Sequence, residues 1–491
     1  MTERRAGAQH QGLATQDVIW LASATRRIDN SRHQSDTQRL ALMSRSRIPG
    51  RERAYGAGAD VCSAVPLVLG NAGRMAASSV SSEALAMEAL EWLVSQARPY
   101  GDGLAWTGTP TAPEPNPNPN LYSGTAGVVM ALLEAYRHDG DDRWATAASA
   151  GARTLERLVD HYLHDHSLYF GAMGVAVALG AVGDQLADAA FRSAAYRILG
   201  RVRSDFDGER WGDGFELLAG NAGIALGALR LGEVDLAELA VTPYLTTSKP
   251  TEHGLTWENR RGQPARRHHI PHGTLGVVFA LAATAPATGR SDLMQFALAG
   301  VADVVARNEA GQEGFLVPHS DPQQQHERIE RYSYGWCHGP AGDAQAFRLL
   351  GQLTGEASWV SLEERCWHTV LTSGLPRRKM PGFWDNNGRC CGTAGVLALA
   401  CDREVEHGDG RDFADVLVAD LTGRATRDDQ GARWRNLEHR DSPAELEPRH
   451  GWAMGNAGIA RELLRHARLT AGGDPRYAVD WPDHPPVLAR S

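Results

Sequence analysis

The chain has 491 residues, 42% of them hydrophobic and 22% charged, the proportions of an ordinary globular protein. A net charge of −9 argues against a nucleic-acid binder, whose domains tend to be basic, and no stretch approaches the roughly 18 apolar residues of a membrane span. Six cysteines in this length make no secreted disulfide framework and suit a reducing cytoplasm, where thiols stay free or bind metal.

In chain order, residues 1–80 read as an N-terminal extension. Residues 1–55 are rich in Arg, Ser and Gln and poor in acids, the composition of a disordered leader more than of a targeting peptide. The apolar run Val18–Ala22 is too short for a signal-peptide core. Helical patterning starts near Ser82, with Leu85, Ala89, Leu90 and Leu93 at helix spacing and Ser81 or Ser82 as the cap. The Pro/Asn run Pro113–Asn120 cannot be helix and is expected to form a stiff extended loop.

A motif then returns along the rest of the chain: Gly-x-x-Gly followed by an apolar, Ala-rich helix. Copies begin at Gly124, Gly171, Gly220, Gly273, Gly339, Gly392 and Gly455, in steps of 47 to 66 residues. One Gly-x-x-Gly is a weak signal, but seven, each before a helical pattern, are a strong one. Gly70–Gly73 matches the string but precedes a polar run, so it is not counted. A period near fifty fits two helices and their connections, and repeats of that kind must stack to bury their apolar faces. An open solenoid needs polar caps at both ends. Here the first and last copies are as apolar as the middle ones, which predicts closure into a ring: an all-α, seven-fold α/α toroid. If all seven inner helices start on one side, their N-termini favour an anion there.

The repeat also registers the chemistry, because residues just before each Gly-x-x-Gly share one face. Tyr122 and Ser123 precede the first copy, Glu216 the third and His272 the fourth. Trp336, Cys337 and His338 precede the fifth, and Cys390 and Cys391 the sixth. Cys337 and Cys390 are therefore one repeat apart. Three thiolates plus an open position make a catalytic zinc pattern. Such a shell keeps a further bound thiolate electron-rich, which points to thiol chemistry more than to peptide hydrolysis. Competing readings are a structural zinc completed by His338, two small residues adjacent by chance, and a vicinal disulfide, which would be strained. His272 competes with a packing histidine, and Glu216 with a core-lining carboxylate. His268 and His269 are expected to be solvated in a basic loop, and Cys62, Cys366 and Cys401 lie outside the register.

WCHGPAG at 336–342, RCCGTAG at 389–395 and HGTLG at 272–276 resemble the zinc-ligand and His-Gly motifs of the lanthionine synthetase C-like (LanC-like) family. The resemblance spans roughly residues 82–470. It implies an α/α toroid with a central zinc, and cyclisation of ribosomal peptides by addition of cysteine thiols to dehydrated Ser or Thr. Carried over, Cys337, Cys390 and Cys391 match the zinc ligands, the third of which is often histidine in the family. His272 matches the active-site acid/base, and His338 takes the place of a motif tyrosine. Glu216 stands where many members have aspartate. An arginine usual four residues before the first zinc cysteine is replaced by Ser333, with Arg331 as a nearby substitute.

The expected organisation is an extension over 1–80, a cyclase toroid over 81–475 and a C-terminal tail over 476–491. No kinase or dehydratase segment is apparent. The implied partners are a dehydrated precursor peptide with its leader and a separate dehydratase or kinase/lyase, met in the cytoplasm. The polar segments Leu255–Arg267 and Arg424–His450 are candidates for gripping the leader. Alternatives are glutathione addition to dehydroamino acids and a non-catalytic zinc-stabilised peptide scaffold. A glycoside hydrolase is disfavoured, because it needs two facing carboxylates and only Glu216 is in register.

Overall fold

Each of the seven Gly-x-x-Gly motifs opens a helix in the computed structural model, which describes residues 80–112, 117–162, 164–263, 265–324, 330–378, 385–438 and 442–486. Most of the N-terminal extension, its decoy Gly70–Gly73 and Cys62 lie outside these residues. In chain order the helices are α1 (Ser82–Ser95), α2 (Thr125–Asp139), α3 (Asp142–Tyr162), α4 (Ala172–Gln185), α5 (Ala189–Ser204), α6 (Asn221–Arg230), α7 (Val234–Val241) and the short α8 (Pro243–Thr247). They continue with α9 (Thr274–Thr288), α10 (Ser291–Val305), α11 (Pro340–Thr354), α12 (Ala357–Thr372), α13 (Thr393–Glu406), α14 (Arg411–Arg424) and α15 (Asn456–Thr470). The start at Ser82 is capped as the sequence predicts, by the Ser81 hydroxyl accepting from the Ala84 N–H.

Two kinds of helix alternate, and their composition explains where each goes. The helices after the glycine motifs are buried on every side; in α9 every residue from Thr274 to Ala285 is buried. A helix apolar all round must be surrounded, and its Ala and Gly content lets neighbours come close. These seven, α2, α4, α6, α9, α11, α13 and α15, form the inner ring. The outer helices are one-sided: α5 buries Phe191, Ala194, Ala195, Ile198, Leu199 and Val202, a single stripe. Successive inner helices pack on one another, and α15 packs on both α2 and α1, so the ring closes. The fold is an all-α, seven-fold α/α toroid.

The glycines are required by close approach, not by unusual backbone angles. Gly339 has an extended φ of −164°. A Cβ on Gly339 would overlap the Ser333 carbonyl, and one on Gly342 the Trp336 carbonyl, in each case the backbone six residues earlier. The same overlap recurs in the other six motifs, so the incoming loop always lies flat against the first turn of its helix.

A hoop of backbone hydrogen bonds ties these turns together through the residue two before each motif. Tyr122 N–H donates to the Tyr169 carbonyl, Tyr169 to Leu218 and Leu218 to Pro271, at 2.9, 3.2 and 3.1 Å. Cys337 donates to Cys390, Cys390 to Ala453 and Ala453 back to Tyr122, at 3.3, 2.8 and 2.8 Å. The link from residue 271 to 337 cannot form, because proline has no N–H. All seven helix N-termini thus share one face, and the hoop is interrupted once, between His272 and Cys337.

Short two-stranded ribbons decorate the connections. Lys249–Pro250 pairs with Leu255–Thr256, and Arg266–Arg267 with Ser320–Asp321. Thr426–Asp428 pairs with Gly431–Arg433. After α15 the chain turns back through the ring. Arg465 Nε donates to the Pro475 carbonyl at 2.7 Å, and Ala478 and Val479 donate their N–H groups to Glu134 of α2 at 2.9 and 3.0 Å. His484 Nε2 is 3.1 Å from Asp402 of α13, and Gln352 of α11 donates to the Pro486 carbonyl at 2.8 Å. Partners on α2, α11, α13 and α15 put residues 475–486 along the axis of the toroid.

Candidate metal centre

The two turns that carry cysteine are neighbours in the ring, and their thiols converge. Cys337 and Cys391 sulfurs are 3.0 Å apart, and Cys391 and Cys390 sulfurs 3.3 Å. All three lie within 4.8 Å of one another, are 1% exposed and are free thiols, their separations well beyond the ~2.05 Å of a disulfide. The Tyr122 hydroxyl donates to Cys390 at 3.3 Å. Burial pushes the Cys337 and Cys391 thiols well above the ordinary range. At Cys390 burial acts the same way, but hydrogen bonds from Cys337, Cys391 and Tyr122, together with the His272 charge, hold it well below that range. One thiol is thus poised to ionise first among three soft donors, the donor chemistry of a zinc site. The cluster can hold a metal ion.

His272 stands on the turn before α9, across the interruption in the hoop. Its Nδ1 is 3.7 Å from Glu216 Oε2. Glu216 is 3% exposed and is anchored by the Leu218 and Ala219 N–H groups at 2.7 and 3.2 Å. It therefore stands behind the imidazole with fixed orientation. His338 is stacked on His272, with ring centroids 5.0 Å apart and planes 13° apart. Its Nε2 meets His319 Nε2 at 3.2 Å, so His338 engages histidines while the converging metal-ligand set is the three thiols.

The histidines expected in solvent are buried instead. His268 is 1% exposed and His269 is fully buried, with Nδ1 2.9 Å from Asp343 Oδ2 of α11. The imidazoles turn inward while Arg266 stays near the surface, paired with Asp321 on the facing strand at 2.8 Å. His269 and His319 pack around His338, with His269–His338 centroids 5.7 Å apart. Burial, with the neighbouring His269, Arg267 and His272, holds His319 down at about 2. Burial and His269 hold His268 at about 3, and His338 lies well below its ordinary value for the same reasons. His268, His319 and His338 are thereby held as neutral imidazoles.

Arg331 does not serve as the replacement arginine. Its guanidinium is held at the surface by Glu309 and Tyr332. The cation near His338 and Glu216 is Arg267, whose place in the register, six residues before Gly273, was the available signal. Cys366 and Cys401 are core thiols of α12 and α13, and burial pushes Cys401 up to about 12. A polar groove of about 790 Å³ lies beyond the histidines, lined by Lys249, Arg266, His268, Arg307 and Asp321 among others. No helix among the described residues is long and apolar enough to cross a membrane.

Residues 116–328 and 320–418 match the family described as lanthionine synthetase C-like protein. Among solved structures, nisin cyclase aligns with a TM-score of 0.52 at 16% identity, over 74% of this chain and 91% of that one. The Lin0763 protein of Listeria innocua aligns with a TM-score of 0.46 at 13% identity, over 80% of this chain and 99% of that one. An unsaturated glucuronyl hydrolase specific for heparin gives 0.46 at 12%, over 80% and 98%. No curated protein matches. At these identities the likeness to nisin cyclase is one of fold.

Proposed function

The chain belongs to the lanthionine synthetase C-like family, and we propose that it is a zinc-dependent lanthipeptide cyclase, adding cysteine thiols of a peptide to its dehydroalanine or dehydrobutyrine residues. The observation that carries the reading is the convergence of three buried free thiols on the face that also bears His272 and Glu216. Cys337, Cys390 and Cys391 would hold the zinc. Zinc bound there supplies a Lewis acid that lowers the pKa of an incoming thiol, while three sulfur donors keep the centre electron-rich.

The chain's own groups handle the rest. His272 accepts the proton of the peptide thiol or returns one to the product. Glu216, fixed by two backbone N–H groups, stands 3.7 Å from Nδ1 and orients the ring. The substrate sulfur bonds to the β-carbon, the alkene electron pair moves to the α-carbon and its carbonyl as an enolate, and protonation of the α-carbon completes an addition that leaves the peptide mass unchanged. The helix N-termini on this face stabilise the developing negative charge. Holding thiol and alkene of one peptide together supplies much of the acceleration. Water elimination from Ser or Thr belongs to a separate dehydratase or kinase/lyase, and the leader-bearing peptide is the substrate.

The test uses purified protein, its zinc content, and a dehydrated cysteine-containing peptide. Because mass does not change, ring formation is read as thiols lost to alkylation. Cys337→Ala is expected to lose both zinc and cyclisation; full zinc with full activity in that variant overturns the assignment. Free glutathione offered as the thiol distinguishes the alternative, since its addition raises the peptide mass.

A further inference from the structure

The residue three before each glycine motif changes character around the ring. In repeats one to four it is Leu121, Leu168, Leu217 and Ile270; in repeats five to seven it is Trp336, Arg389 and Trp452. All seven are buried. Trp336 is bonded to Cys337 in the chain, and Arg389 to Cys390, so whatever fixes these two side chains fixes the backbone that presents two of the three thiols.

The C-terminal segment is what they rest on. Trp481 stacks on Trp452, with centroids 4.7 Å apart and planes 15° apart, and Trp452 meets Trp336 edge to face at 5.3 Å. Trp481 Nε1 donates to the Tyr169 hydroxyl at 2.8 Å, and that hydroxyl donates to Asp483 at 2.7 Å. Tyr169 in turn packs on Trp336 at 5.8 Å. The Arg389 guanidinium lies over the Trp336 and Trp452 rings, at 5.9 and 5.5 Å, and pairs with Glu462 at 2.8 Å. Glu462 also accepts the Tyr477 hydroxyl at 2.7 Å. These ring contacts and hydrogen bonds thus lead from Trp336 and Arg389 to Tyr477, Trp481 and Asp483.

We infer that residues 475–486 form the floor of the metal centre, with Trp481 a positioning residue that sets the Cys337 and Cys390 thiols through Trp452, Trp336 and Arg389. This rests on the proposed metal reading of the three cysteines. Partners that orient metal ligands from behind commonly carry about 10- to 100-fold of metal affinity, and Trp481 is expected to carry a loss of that size.

The experiment compares full-length wild type, Trp481→Ala, Trp481→Phe and His484→Gln. His484 lies in the same segment and meets Tyr477 edge to face at 4.8 Å, but its hydrogen bond goes to Asp402, which Arg348 and Arg465 hold, and not to the Trp481–Trp452–Trp336 stack. Zinc affinity is measured by competition with a chelator, the cobalt-substituted absorption spectrum reports the sulfur ligands, and thermal melting reports the fold. Trp481→Ala is expected to bind zinc about 10- to 100-fold more weakly with an altered cobalt–sulfur band, and Trp481→Phe to recover part of both. His484→Gln is expected to melt lower with unchanged zinc affinity. Unchanged zinc affinity and spectrum in Trp481→Ala overturn the inference, as does an equal loss of affinity in His484→Gln. If wild type binds no zinc, the metal reading falls, and the inference is decided by alkylation of the metal-free thiols. A changed labelling pattern at Cys337 and Cys390 in Trp481→Ala then supports it, and an unchanged pattern overturns it.

Discussion

At the scale of single residues, the proposed mechanism gives His272 and Glu216 separable roles. His272→Ala is expected to keep its zinc and lose about 10²- to 10⁴-fold in cyclisation rate, the usual worth of a general acid–base group. Glu216→Gln keeps the side-chain length but loses the charge and one of the two oxygens that accept from the Leu218 and Ala219 N–H groups, and is expected to lose on the order of 10-fold, again with zinc retained. Equal losses in the two variants would merge the roles. The cysteines and His272 were legible in the sequence because they fall one or two places before a repeating glycine, and cysteine is scarce. His268 and His269 were misread as solvated. Their neighbours Arg266 and Arg267 suggest a charged surface loop, and only the fold brings up Asp343 of α11 to meet His269 inside. Trp481 carried no signal at all, since its importance lies in Trp452 and Tyr169, each far away in sequence.

At the scale of the element, the glycine motif is a steric requirement that can be tested by adding one methyl group. Gly342→Ala would drive a Cβ into the Trp336 carbonyl, next to Cys337, and is expected to cost about 1–3 kcal/mol or more in urea unfolding. Gly200 of α5 is helical with open space around its Cα. Gly200→Ala is therefore expected to stabilise by about 0.5–1 kcal/mol, through helix propensity and a less free unfolded chain. Opposite signs for the same chemical change would separate packing from propensity. Helices of both rings were readable because the glycine motif marks the start of each inner helix, while the outer ones carry a single apolar stripe. The ribbons were not, because strands of two or three residues are too short to show alternation.

At the scale of the whole molecule, closing seven repeats into a ring leaves many titratable groups without water, and the pH dependence of stability follows. Burial holds His268, His319, His450 and His484 at about 3, 2, 4 and 3, below the ordinary 6.5. A histidine with a depressed folded value contributes stability above pH 6.5 that is lost as pH falls toward those values, because only the unfolded chain takes up the proton. Each contributes a slope of up to about 1.4 kcal/mol per pH unit. Asp483 works in the opposite sense: burial raises it to about 6, so its contribution is present at low pH and is lost as pH rises through 6. Four groups outweigh one, and the melting temperature is expected to fall between pH 6.5 and pH 4; a flat profile over that window would contradict the neutral buried histidines. The interrupted hoop has a mechanical consequence of its own. A hoop fastened at six junctions and open at the seventh is a split washer, held across its cut by side chains, the His269–Asp343 contact and the His272–His338 stack. The cut falls between Pro271 and Cys337, so the jaws of the washer are the proposed acid–base group on one side and the first thiol on the other. A peptide loop that must pass between them meets the one junction of the ring where parting the turns breaks none of the hoop's hydrogen bonds.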